Sequence, residues 1–275
     1  MNLANVDLCW AADRLRVVSP GDDQPRRVAL DSLVFDDDRV LLDGVEIERA
    51  QPPVHALLNK PKFVTSTSRD PKGKSDLAPY LRAMPRGCFA VGRLDRETTG
   101  LLLFTNDGDL ATAVLRPDHS TTKTYWLWLD EILSESDPRL EQLRSGVVHN
   151  GERFWAKDAH IRASNEYATE LELTLTQGKK RQIRHMCRAL NLRLVHLHRF
   201  RIGPLSDAGL ALGSWRLLEP HEVSALWQAA GGRAAVRERQ LAALQQRALQ
   251  ARSDGTPQTR LEQWLEQERA TPNVS

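Results

Sequence analysis

Cysteine is nearly missing from this chain: Cys9, Cys88 and Cys187 are the only three among 275 residues. An odd number, so far apart, fits neither a disulfide framework nor zinc-ligand spacing, and a reducing cytoplasm is expected. No apolar run has membrane-spanning length, and Asp7 and Asp13 interrupt the first apolar residues. Neither a membrane partner nor a secretory leader is therefore expected. A phosphate loop is missing too, because the turn at Gly100 lacks the Gly-Lys-Ser/Thr ending, and no His/Cys cluster has metal spacing. These absences leave no cofactor and no metal to expect. Strong overall charge is also lacking: 38 Lys and Arg against 36 Asp and Glu give +2, a weak pointer to nucleic acid.

Length is not lacking. A chain of 275 residues allows one large domain or two smaller ones around a real core. Residues 1–50 read as a small separate unit, with Val34 to Val45 as a hairpin-like pair of short strands and turn residues from Ser19 to Pro25. Residues 51–230 mix apolar strands with a few helices. Thr169 to Thr176 alternates with period two, and Arg181 to Leu190 spaces Ile183, Met186, Cys187 and Leu190 as on a helix. Strands and helices in irregular order argue for an α+β fold rather than a doubly wound sheet. Residues 231–275 change character; Arg233 to Arg252 is rich in Ala, Gln, Arg and Leu, and predicts a helical, loosely docked extension.

Two stretches carry chemistry. Between Lys179 and Arg201 stand Lys179, Lys180, Arg181, Arg184, Arg188, Arg193, Arg199 and Arg201 with His185, His196 and His198, and no acidic residue. A solvated helix face usually mixes both signs, so the stretch predicts an anion-binding surface. The second stretch is Gly92 to Gly108. Apolar runs flank it, Cys88 to Val91 and Leu101 to Phe104, and both read as buried strands. Between them a tight polar loop presents Arg93, Asp95, Arg96, Glu97, Thr98 and Thr99, closed by Gly100. Charged loop residues held by rigid strands are the usual geometry of an active site.

Gly92-Arg93-Leu94-Asp95, followed by Thr98, Gly100, the Leu run and Thr105-Asn106-Asp107-Gly108, resembles the signature of pseudouridine synthases. More narrowly it resembles the ribosomal RNA branch typified by RsuA, RluB, RluE and RluF. Three further blocks agree in order: Leu58-Asn59-Lys60-Pro61, Lys123-Thr124-Tyr125, and Gln177 to Met186 around Arg181-Gln182-Ile183-Arg184. The resemblance covers roughly residues 55–228.

It implies a mixed, mainly antiparallel central sheet flanked by helices. It also implies an S4-like module, here shortened or diverged, over residues 1–50 and a catalytic domain over 51–230, while residues 231–275 remain the helical extension read from composition. The implied activity turns a uridine of ribosomal RNA, free or in an assembly intermediate, into pseudouridine, with the protein acting as a monomer.

The reaction breaks the N1–C1′ bond, turns the uracil and rejoins it through C5, without gain or loss of electrons. It needs a carboxylate held against the nucleotide, and a carboxylate taken from water needs a cation close by. By resemblance Asp95 is that carboxylate, Arg184 its partner, and Tyr125 the aromatic that stacks on uracil and helps remove the C5 proton. Arg93 matches a residue that fills the space of a flipped base. Lys60, Lys123, Lys179, Lys180, Arg181 and Arg199 are the implied RNA contacts.

Two rival readings fit less well. A silent RNA-binding protein would not need Asp95, Tyr125 and Arg184 together, and a glycoside hydrolase would need a second paired carboxylate. Two departures stand out: Phe63 occupies a usual Gly position, which predicts a different local turn, and His185 replaces a usual Arg, making one phosphate contact neutral near pH 7.

Overall fold

The computed structural model describes residues 14–27, 38–47, 52–68, 70, 72–116, 121–235, 238 and 242. Most of the helix expected after Arg233 falls outside them, as does Val34 to Asp37 of the expected hairpin.

The N-terminal unit is a four-stranded antiparallel sheet of order β2-β1-β3-β4, from β1 (Leu15–Val18), β2 (Arg26–Arg27), β3 (Arg39–Leu42) and β4 (Val45–Glu46). The expected hairpin is β3–β4, turning at Asp43-Gly44 with both residues at positive φ. The Ser19-to-Pro25 turn joins β1 to β2 in a second hairpin, which the sequence did not announce.

The larger unit is built on a nine-stranded sheet. Its main path contains β5 (His55–Lys60), β7 (Thr99–Thr105), β8 (Lys123–Leu129), β11 (Asp158–Ser164), β12 (Thr169–Leu175), β13 (Leu194–Ile202) and β15 (Trp215–Leu217). They run in the order β11-β12-β8-β13-β7-β5-β15, with β6 (Phe89–Val91) added on β7 and β14 (Leu205–Ser206) on β13. Only the β13–β7 pair is parallel, so the sheet is mixed and mainly antiparallel. A separate hairpin joins β9 (Val147–His149) to β10 (Glu152–Phe154). Five helices lie wholly among the described residues: α1 (Ala78–Ala83), α2 (Gly108–Leu115), α3 (Pro138–Ser145), α4 (Gln182–Ala189) and α5 (Pro220–Ala229), and residues 233–235 are helical as well. This is the expected α+β class.

β7 explains why the polar loop before it is held firmly. Every residue of Thr-Gly-Leu-Leu-Leu-Phe-Thr is buried, as a strand covered on both faces requires. Leu101 and Leu103 pack with α2 and α5, while Leu102 and Phe104 pack with Leu58, Leu77 and Met84. A third cluster seats Ile183, Met186 and Cys187 of α4 on Leu127, Leu171 and Leu173 of the sheet. Asp107 starts α2 by accepting from the backbone N–H groups of Asp109 and Leu110. Gly100 is where β7 meets β13. Its φ is +105°, and a Cβ there would lie 2.2 Å from the Arg199 carbonyl oxygen. Only glycine permits that approach.

Candidate active site

The loop between β6 and β7 and the N-terminal end of α4 meet at Asp95. Arg184 Nε donates to Asp95 Oδ2 at 3.3 Å, joining residues 89 apart in sequence. The same guanidinium donates to the Thr98 hydroxyl at 3.4 Å and stands 3.9 Å from Glu97. Arg181 adds a second cation, 3.7 Å from Asp95 Oδ2. Asp95 keeps 27% of its side chain exposed against 15% for Arg184, so the carboxylate faces solvent while its partner is largely enclosed.

Sequence explains the convergence. The apolar face of α4 is fixed by Ile183, Met186 and Cys187, which turns Arg184 away from the core. Arg181, three residues earlier, shares that side of the helix and starts it in a left-handed conformation, φ 53°. In the loop, the Thr98 N–H closes a turn onto the Asp95 carbonyl at 3.0 Å, and Ser66 braces Leu94 in both directions.

Strand register places other named residues in one row. Tyr125 of β8 pairs with Arg199 of β13, Arg199 with Gly100 of β7, and Gly100 with Lys60 of β5. Tyr125 is half-buried against the cluster that anchors α4, and its phenol has no protein hydrogen bond among the described residues. No group of three or more His, Cys, Asp or Glu residues arranged to hold a metal occurs among them.

The family model for RNA pseudouridylate synthase matches residues 54–189, a span that holds Asp95, Tyr125 and Arg184. Ribosomal large subunit pseudouridine synthase B of Bacillus subtilis (strain 168) is 33% identical over 191 residues, 69% of this chain and 77% of the relative. The chain belongs to the RNA pseudouridine synthases, in the RsuA/RluB-type branch. It is accordingly an isomerase. Ribosomal small subunit pseudouridine synthase A of Escherichia coli (strain K12) is 32% identical over 188 residues, 68% of this chain and 80% of that one. A crystal structure of a pseudouridylate synthase shares the fold, with TM-score 0.57 at 24% identity over 81% of this chain and 92% of that one.

Within this pseudouridine synthase, three expected RNA contacts are engaged with backbone carbonyls, Lys60 and Arg199 buried and Lys123 half-buried. Lys60 is fully buried, and its ammonium donates to the carbonyls of Pro61 and Val64, both at 2.9 Å. Lys123 donates to the carbonyls of Val114 and Thr121, both at 2.9 Å. Arg199, 5% exposed, donates through Nε to the Leu101 carbonyl at 2.8 Å. Burial pushes the Lys60 pKa down to about 8, helped by Arg199 and Arg96 and opposed by Asp95. Burial and Arg199 do the same to Lys123, also to about 8. In the structure these three cations are held by backbone carbonyls of the sheet and the segments beside it.

The basic stretch from 179 to 201 is likewise not one surface. Carboxylates from elsewhere meet several of its members: Glu152 lies 2.8 Å from Lys179, Asp130 3.9 Å from Arg193, and Asp95 faces Arg181 and Arg184. Lys180, Arg188 and Arg201 remain exposed, as do Lys62, Arg93 and Arg96 nearer the loop.

His185, which replaces a usual Arg, packs among aromatic rings. It stacks on Phe154 with ring centroids 5.3 Å apart and lies 5.1 Å from His149. Its pKa is lowered, first by burial and then by neighbouring His149, Arg188 and Arg181.

The turn at Phe63 departs from expectation in the opposite sense. Phe63 adopts the left-handed conformation natural to glycine, φ 68°, so the turn is kept despite the side chain. The sequence also gave no notice that Arg181 and Thr98 join the Asp95 cluster; the three-residue spacing of Arg181 and Arg184 was the available signal.

Proposed function

We propose that this enzyme isomerises a specific uridine of ribosomal RNA to pseudouridine, with Asp95 as the catalytic carboxylate. The observation that carries this is the Asp95–Arg184 contact, backed by Arg181, on a half-open loop of the family's sheet. The named relatives act on ribosomal RNA, one on each subunit.

In this reading the target base leaves its stack and the nucleoside sits against Asp95. The N1–C1′ bond breaks, the uracil turns, and a C5–C1′ bond forms. The C5 proton is lost and N1 gains one, so the product is an isomer. Asp95 supplies the anionic oxygen facing the sugar–base bond, and Arg184 and Arg181 keep it aimed. Tyr125, with its phenol unpartnered, stacks on the uracil and helps take the C5 proton. Arg93, exposed at the head of the loop, fills the gap left by the extruded base. Exposed Lys180, Lys62 and Arg96 hold the RNA backbone, together with Lys179, which is ion-paired to Glu152. The N-terminal sheet serves as an S4-like RNA-targeting module and the tail as an appendage. The protein works as a cytoplasmic monomer on RNA that is free or part of an assembly intermediate.

The test is to incubate unmodified small- and large-subunit ribosomal RNA separately with the full-length protein, then map pseudouridine by carbodiimide labelling and primer extension. One new stop, at one uridine of one RNA, is expected. Tight binding with no stop on either RNA or on an assembly intermediate contradicts the reading.

A further inference from the structure

Phe63 is held in a conformation that costs a side chain energy. A left-handed residue other than glycine costs roughly 1–2 kcal/mol, and a bulky one at φ 68° needs surroundings that enforce it. Those surroundings are present. The N–H of Phe63 donates to the Arg96 carbonyl at 2.6 Å, one residue beyond Asp95. On the other side, the buried Lys60 ammonium bonds the carbonyls of Pro61 and Val64, which bracket Phe63. Phe63 is thereby fixed relative to Asp95 from both ends of its turn.

Glycine would satisfy the same backbone without strain, so the clamp alone does not call for a phenyl ring. The residue is 51% exposed. A single exposed aromatic is ordinary; one on a strained, doubly clamped turn beside a carboxylate loop is not. Two cations stand near its face, Lys62 Nζ at 5.3 Å and Arg96 Cζ at 5.1 Å from the centroid. Both residues are exposed, as is Arg93. An aromatic plane set among exposed cations matches an unpaired nucleotide, whose base stacks while its phosphate meets the charge.

We propose that Phe63 is a stacking platform for an unpaired nucleobase adjacent to the uridine held at Asp95. The inference rests on the reading of this site as an RNA site, and it adds a substrate-positioning residue to the loop and helix already described. Stacking of this kind tolerates any base, so Phe63 contributes affinity and placement, while the base that stacks there is set by the RNA's shape.

The test uses full-length Phe63→Gly, Phe63→Leu and Phe63→Trp with unmodified small- and large-subunit ribosomal RNA transcripts, measuring Kd by filter binding and the single-turnover rate at saturating RNA. Phe63→Leu and Phe63→Gly should bind roughly tenfold more weakly, the low end of what one base–aromatic stack supplies. Phe63→Trp should bind as tightly as wild type. The loss should sit in Kd rather than in the saturated rate. Phe63→Gly should melt no lower than wild type, because it relieves the backbone, and this separates lost stacking from lost folding.

Wild-type affinity in Phe63→Leu, or a Phe63→Trp as weak as Phe63→Leu, overturns the proposal. So does a saturated rate that falls as far as the affinity, which marks a loop-bracing role. If wild type forms no pseudouridine but the Kd pattern holds, the proposed reaction fails and the platform stands. If product forms while Kd is flat across the series, the reaction stands and the platform fails. No binding of either RNA by wild type defeats both.

Discussion

Arg181 and Arg184 reach Asp95 from the start of a helix that solvent touches, whereas Lys60, Lys123 and Arg199 lie behind the loop in the sheet. All five are cations that the sequence alone does not tell apart. The first pair meets a carboxylate and leaves it accessible. The second set meets backbone carbonyls, and two of its ammonium groups lie well below their ordinary pKa because they are enclosed. Charge near an active site therefore divides into charge that serves the reacting group and charge that holds the frame. What separates them is the partner and the depth, neither of which is a property of the residue type.

Substitutions that fall on one side of this division should break different things. The largest effect is expected at Gly100, where the two sets are joined through the β7–β13 contact. Gly100→Ala puts a Cβ 2.2 Å from the Arg199 carbonyl oxygen at φ +105°. Loss of at least about 4 kcal/mol in chemical denaturation, or no folded protein, is expected. A variant within 1 kcal/mol of wild type, taken as roughly the noise of an ordinary surface change, would contradict the tight approach.

Arg184→Ala acts on the serving side. The rate at saturating RNA should fall by about 10²–10³, the usual consequence of losing one group that stabilises charge at the reacting centre, while Kd changes by only a few-fold. Single-turnover kinetics with filter binding would check it. A fall confined to Kd would move Arg184 to the RNA-holding surface.

Lys60→Met acts on the framing side, and its smaller effect is read from pH. The folded pKa of Lys60, about 8, lies below the ordinary value of 10.5. Below about pH 8 the ammonium is charged in both folded and unfolded chains, and the cost of burying it is fully present. As pH rises towards 10.5 the folded chain holds fewer protons than the unfolded one, so that cost is progressively lifted. Wild type should therefore gain about 1–3 kcal/mol on Lys60→Met between pH 7.5 and pH 10, by urea denaturation. The variant should leave the salt slope of RNA binding unchanged, since the Lys60 ammonium is buried and held by two backbone carbonyls. A shallower salt slope would return it to the RNA surface.

The same division explains what could be read from the sequence. Thr169 to Leu175 and Gln182 to Ala189 were legible because their period reports which face is covered, and the loop around Asp95 was legible because buried strands frame it. The fates of Lys60, Lys123 and Arg199 were not, because a lysine bound to carbonyls and one bound to phosphate look alike in sequence. The acidic partners of Lys179, Arg181, Arg184 and Arg193 come from residues 95, 97, 130 and 152, beyond any local window, while His198 pairs nearby, with Asp207. The ring neighbours of His185 were hidden for a related reason: Phe154 and His149 arrive from the β9–β10 hairpin. Phe63 broke a local backbone preference that tertiary clamps override.

The central claim is that the Asp95 carboxylate, not the fold around it, performs the isomerisation. The most direct measurement compares Asp95→Asn with wild type on the RNA that wild type modifies, reading pseudouridine and Kd in the same samples. The account predicts no detectable product from Asp95→Asn with Kd within about threefold of wild type, since the amide keeps the shape and loses the charge. Product formed at the wild-type rate would contradict it.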